Sequence, residues 1–362
     1  MAETVNTSVI APKAASQIFD FFKWNFRKIG PADTNYDCIF PEEHSSLKKD
    51  GEELKKHTHP TDAVFYYADP YFHKNIYFNV DFKSYSDTSI SLPKVRNAVN
   101  SMARSIQCAR NSSEWSTRFM VKEPFEVRGF LFAYNHDNSF EKNFYSFFNV
   151  YDDFAEADDK KGKINPSSLK LAKGQKIHIA DPELIHYWQT VVINAKQDIT
   201  DKKMGGHYFF HYPQLVEFRN NNNKFDNPAT IEMLSGPFII IGYDEINKFD
   251  ENINKIIRLN GKGYFIYYRE KGATYEEFIY LLDFLDKFQL IEEGVPIKIK
   301  FANKKANELA ISNFNNAKDR FQNDVWGKRS SIFDLISAEF CELFKQEFST
   351  EQIGWERAES EA

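Results

Sequence analysis

Cysteine is scarce in this chain: Cys38, Cys108 and Cys341 are the only three in 362 residues, odd in number and far apart. Such spacing gives neither a disulfide framework nor a zinc ribbon, and a reducing compartment is the simplest home for it. Long apolar runs are missing as well. The best, Pro237–Gly242 (PFIIIG), is strand-sized, far below the roughly 18–20 residues that a membrane helix needs. The opening MAETVNTSVIAPKAA lacks the basic start and apolar run of a secretion signal. Together these absences lead us to expect a soluble cytoplasmic protein without membrane association.

An excess of basic charge is absent too. Lys and Arg number 46 against 52 Asp and Glu, a formal charge of −6. A histone-like binder is thereby excluded, and any nucleic-acid contact must come from a local basic surface. No G-x-x-x-x-G-K-[ST] occurs, so no ATPase motor is recognisable, and there is no G-x-S-x-G nucleophile elbow. None of the cysteines stands out as a catalytic thiol. His207 and His211 are four apart but lack the Glu of a zinc-protease helix, and Tyr208, Phe209 and Phe210 between them read as a strand.

What remains is a globular composition, 42% hydrophobic and 16% aromatic, which excludes wholesale disorder and leaves length for two domains. Ala15–Lys28 carries a helical apolar stripe, and Ala63–Ala68 and Asn75–Lys83 read as strands. Leu92, Val95, Val99, Met102 and Ile106 mark a helix over 92–110, with Pro93 in its first turn. Val127–Tyr134 follows as a strand, and residues 152–176 as a charged loop or insertion. A strand over Lys176–Ala180 and a helix over Pro182–Ala195, capped by Asp181, come next. The Asn220–Asn223 run beside Asn227-Pro228 is the clearest linker signal. Beyond it, Phe238–Tyr243, Gly263–Arg269 and Pro296–Phe301 read as strands. Helices are expected over Ile246–Leu259, Thr274–Leu290 (with a Thr274/Glu277 capping box), Ala306–Phe321 and Ile332–Phe348. That alternation implies a small, mostly parallel sheet with packed helices. The divisions we expect are 1–219 (insertion around 135–175), a linker at 220–235, and an α/β accessory domain at 236–362.

The two strands before the helix carry the chemistry. Along the second, Ile76, Phe78, Val80 and Phe82 share one face, and Tyr77, Asn79, Asp81 and Lys83 share the other, the one expected to meet solvent. Pairing the strands as an antiparallel hairpin with Asp62 opposite Asp81 keeps both faces consistent; a slip by two would keep them as well, a slip by one would mix them. Asp62, Asp81 and Lys83 then cluster at the open end, while Asp69 falls in an Asp-Pro turn at the other. Two carboxylates and a lysine suit metal-assisted phosphodiester hydrolysis. Hard Mg²⁺ takes carboxylate oxygens, acidifies water and stabilises phosphoryl charge, and an ammonium can orient the water.

Pro60-Thr61-Asp62 followed by Asp81-Phe82-Lys83 resembles the PD-(D/E)xK, or restriction-endonuclease-like, nuclease superfamily, with an extra Thr in the Pro-Asp step and Asp where Glu is commoner. The order helix, three strands, helix, strand resembles its αβββαβ core over roughly residues 14–135. The resemblance implies an α/β fold, Mg²⁺ or Mn²⁺ bound by Asp62 and Asp81, and Lys83 supporting the attacking water. It also implies a polar residue on the following helix, for which Gln107 or Arg104 can serve, and an acid on the first helix, where Asp20 is offered, or Glu52 and Glu53 nearby. Arg96 and Arg104 belong to a stretch with four basic and no acidic residues between Asp87 and Glu114, suited to a DNA backbone. His57 and His59, just before Asp62, are weaker candidates for metal or substrate contact. By analogy with stand-alone members, the expected role is that of an effector endonuclease in bacterial anti-phage defence, with a separate sensor or motor in trans and oligomerisation open. The alternative is a catalytically degenerate nuclease fold that binds nucleic acid or protein.

Overall fold

The computed structural model describes residues 2–27, 35–44, 57–149, 162–213, 223–250 and 254–345. Two compact units divide them, one up to Ile185 and one over His186–Lys345.

The first helix ends sooner than its apolar stripe predicts. α1 (Ala2–Phe21) stops because Lys23 takes a left-handed φ of 63°, and the amides of Lys23 and Trp24 turn back onto the carbonyls of Asp20 and Phe19. Residues 22–27, expected as helix, are instead a turn and the strand β1 (Asn25–Arg27); Lys28 lies outside the described residues. A small pair, β2 (Tyr36–Asp37) and β3 (Thr58–His59), flanks the one-turn α2 (Pro41–His44). Then come β4 (Ala63–Ala68), β5 (Asn75–Tyr85), α3 (Leu92–Asn111), the short α4 (Ser113–Arg118), β6 (Phe125–Asn135), β7 (Ile177–Ala180) and α5 (Pro182–Thr200).

The main sheet runs β1-β4-β5-β6-β7, antiparallel up to β5 and parallel from β5 to β7. β4 and β5 pair in the expected register, Ala63 with Val80 and Phe65 with Phe78. On one face Trp24 stacks on Phe78 at 4.7 Å and on Phe19 of α1 at 4.4 Å, an aromatic core that fixes the hairpin against the helix. On the other face Val95, Val99, Met102 and Ile106 of α3 pack with Leu131 and Ala133 of β6. At Gly129 a Cβ would lie 2.7 Å from the Met102 sulfur, so a larger residue there would make the Met102 side chain shift. Asp181 caps α5 as expected, accepting the Leu184 amide at 2.8 Å. Of the expected insertion, residues 152–161 lie outside the described residues, and 162–176 are irregular apart from a parallel bridge of Ile164 to Phe148 and short turns, one at Pro166–Ser168.

The face of β5 expected to meet solvent is covered for half its length. Tyr77 and Asn79 are buried beneath α3 and α4, where Asn79 donates to the Ser105 hydroxyl at 2.9 Å and accepts from the Trp115 indole at 3.3 Å. Alternation records which side chains share a face, but not what a later helix lays over it.

The second unit contains β8 (Tyr208–Phe210), α6 (Ile231–Leu234), β9 (Phe238–Tyr243), β10 (Ile246–Asp250), β11 (Lys255–Asn260), β12 (Gly263–Tyr268), α7 (Tyr275–Lys287), β13 (Ile297–Phe301), α8 (Ala310–Asp324) and β14 (Ile336–Phe340). Its sheet, β14-β13-β12-β9-β8, is mixed rather than mostly parallel. Two expected helices are strands. Over Ile246–Leu259 the described residues form the antiparallel pair β10 and β11, while residues 251–253 lie outside them; β-branched residues favour strands, and Asn254, just before β11, takes a left-handed φ of 49°. Over Ile332–Phe348, a short turn leads into β14, because β13 offers a parallel edge and Phe333 and Ile336 bury on the α7/α8 side; residues 346–348 lie outside the described residues. The Asn run is described only at Asn223, followed by irregular chain to Thr230.

Candidate active site

Asp62 sits one residue before β4, where its amide bonds the Val80 carbonyl at 3.1 Å and its carboxylate accepts the Phe82 amide at 2.7 Å. The hairpin register places Asp81 beside it, on the same face of β5 as Lys83, and the Lys83 ammonium pairs directly with the Asp81 carboxylate. Phe82 between them turns to the opposite face and packs against Phe132 at 5.8 Å. The side chains of Asp81 and Lys83 keep 25% and 35% of their exposure, so these two lie half-buried at the mouth of the hairpin, beside an exposed Asp62.

Burial pushes the Asp81 carboxyl up to about 6; Lys83 works against this shift, and the Asp62 carboxylate, close enough to share a hydrogen bond, adds to it. Tyr85, further along the same face, is pushed up to about 12, first by burial and then by the Asp81 charge. Two carboxylates crowded against one ammonium form a site that a cation relieves. Their oxygens are the hard donors that Mg²⁺ or Mn²⁺ prefers.

The remaining sequence candidates lie elsewhere. Gln107 does not join the trio: its amide oxygen accepts from His44 Nε2 at 3.1 Å and its amide nitrogen faces Glu43 at 3.5 Å. Arg104 donates to the His44 carbonyl at 3.1 Å, and Arg96 to the Gly162 carbonyl. Long polar side chains on a helix reach the nearest partners, and the sequence does not show that α2 supplies them to Gln107 and Arg104, or Gly162 to Arg96. His59 is buried against His44, with His57 beside it at 4.8 Å between rings. Asp20 is exposed at the end of α1, and Glu52 and Glu53 lie outside the described residues. Asp69 closes its turn as expected, accepting the amides of Tyr71 and Phe72, each at 2.9 Å. Sequence reasoning missed Thr61 and Asn79, whose 2.7 Å hydrogen bond holds the segment before Asp62 onto β5; a polar residue on the covered face was the available signal.

A helix, a three-stranded antiparallel start, a crossover helix and a parallel strand, with an Asp…Asp-x-Lys pattern at the mouth of the central hairpin, define the restriction-endonuclease-like class of nucleases. Within that class the chain belongs to the family described as the GAPS4 protein PD-(D/E)XK nuclease domain, whose model matches residues 1–184. It is therefore a nuclease, an enzyme that hydrolyses phosphodiester bonds of nucleic acid, and enzymes of this kind typically use divalent metals. No curated protein and no solved structure matches the chain. No helix among the described residues is long and apolar enough to cross a membrane.

Proposed function

We propose that this chain is a metal-dependent endonuclease that hydrolyses DNA phosphodiester bonds, with Asp62 and Asp81 holding Mg²⁺ or Mn²⁺ and Lys83 serving the attacking water. The observation that carries this reading is the meeting of these three side chains at one strand end. The ion supplies Lewis acidity to the phosphoryl oxygens and acidifies water. The Phe82 amide orients Asp62, and Lys83, beside the carboxylates that would hold the ion, would orient the water and offset charge developing on the phosphate. The proposed setting is the cytoplasm, as the effector of a bacterial anti-phage system triggered by a separate sensor or motor, as a monomer or an oligomer. Arg96 and Arg104 keep guanidinium donors beyond their carbonyl contacts with which to meet a DNA backbone.

The test incubates wild type and Asp81→Ala with plasmid, linear and single-stranded DNA in Mg²⁺, Mn²⁺ or EDTA. We expect divalent-dependent cutting by wild type and none by the variant. DNA binding without cutting, unaltered in Asp81→Ala, would instead indicate the degenerate binding module.

A pH dependence follows from the same pair. Below about pH 6 Asp81 is neutral in the metal-free protein, so an incoming ion must displace a proton. The apparent Mn²⁺ affinity, followed by electron paramagnetic resonance, is expected to be flat above that pH and to fall by about tenfold per unit below it.

A further inference from the structure

Cys38, His44, His59 and Cys108 come from four separate segments: the strand end after β2, α2, β3 and α3. One donor atom from each lies within 4.8 Å of all the others, and three of the four residues are buried. The Cys38 and Cys108 sulfurs are 3.6 Å apart, and they lie 3.3 and 3.4 Å from His44 Nδ1. His44 Nδ1 is also 3.3 Å from His59 Nε2.

A tetrahedral zinc ion, with Zn–S of about 2.3 Å and Zn–N of about 2.0–2.1 Å, would space its ligands at roughly 3.8 Å (S to S), 3.5 Å (S to N) and 3.3 Å (N to N). The four close separations match these edges within a few tenths of an ångström. They do not match a disulfide, whose sulfurs sit about 2.05 Å apart.

Hydrogen bonding alone does not account for the cluster. Gln107 Oε1 can only accept, so His44 Nε2 carries the proton that faces it at 3.1 Å, and neutral His44 presents a bare lone pair at Nδ1. Three groups, two thiols and the His59 ring, converge on that one lone pair. A cation at the centre satisfies all four donors at once. Gln107 then takes the part of an outer partner that fixes the imidazole tautomer, and Arg104, on the His44 carbonyl, steadies the same turn.

We propose that Cys38, His44, His59 and Cys108 form a structural Cys₂His₂ zinc site, separate from the carboxylate pair. Binding releases both thiol protons, and the two thiolates neutralise the ion's charge. The ion ties β2, β3 and α2 onto α3. Because His59 lies three residues before Asp62, the site also anchors the segment that delivers Asp62 to the hairpin mouth.

The test measures metal by mass spectrometry in the full chain purified without chelators, and then the visible spectrum of the reduced protein reloaded with Co²⁺. The expected result is stoichiometric zinc in wild type and in Asp81→Ala, and tetrahedral cobalt bands with thiolate charge transfer. Zinc should be lost in Cys108→Ser and in His59→Gln. Wild type alone decides the matter if these variants fail to fold. Zinc well below stoichiometry together with no tetrahedral cobalt spectrum, metal retained in a folded Cys108→Ser, or a Cys38–Cys108 disulfide in the fresh protein would each overturn the proposal.

Discussion

Replacing Lys83 with Ala is expected to lower DNA cleavage by about 10²–10³-fold or more while leaving the fold nearly unchanged. Among the described residues Lys83 pairs only with Asp81, at a half-exposed strand end, and pairs of this kind contribute on the order of 0–1 kcal/mol to stability. The substitution also leaves the carboxylates free for an ion. Metal binding therefore persists, and the loss falls on the chemical step. Steady-state cleavage of plasmid DNA at saturating Mn²⁺, beside a thermal melt, checks this. A melting temperature that falls in proportion to the rate would place Lys83 in a structural role.

The largest stability effect is expected in the second unit. There the ammonium of Lys300, on β13, pairs with the Asp198 carboxylate of α5; the side chains are only 6% and 4% exposed. The Tyr267 hydroxyl donates to the same carboxylate at 3.4 Å, and Glu339 reaches Lys300 at 3.4 Å. Lys300→Met leaves the Asp198 carboxyl buried and without its cation, a change that costs roughly 3–5 kcal/mol. For a unit of this size that corresponds to a melting point lower by roughly 6–20 °C. The double variant Asp198→Leu/Lys300→Met removes both charges and is expected to recover most of the loss. Calorimetry on both variants checks it; a single variant within a degree or two of wild type would show that the pair is not sealed from water.

Legibility in the sequence followed the range of the interactions. The hairpin could be read because strand alternation and register are local, and one slip mixes its faces; Asp62, Asp81 and Lys83 could be placed together without seeing any helix. The end of α1 could not, because the signal was a left-handed Lys23 rather than a glycine. β14 carries helical spacing, and only the open edge of β13, supplied by the tertiary fold, makes it a strand. Lys298 and Lys300 alternate identically in PIKIKF, yet only Lys300 is covered by α5, so its buried pair left no trace in the pattern. Cys38 and Cys108 are 70 residues apart, and the reading that they form no zinc ribbon holds for sequence spacing alone. In space they meet at His44.

The shared grip of Asp62 and Asp81 on a divalent ion is the centre of the account. Anomalous diffraction at the manganese edge, from crystals of wild type grown with Mn²⁺, tests it most directly. A peak is expected between the two carboxylates, with the Lys83 ammonium turned away from Asp81. Crystals that show manganese only elsewhere, with the Lys83–Asp81 pair intact, would contradict it.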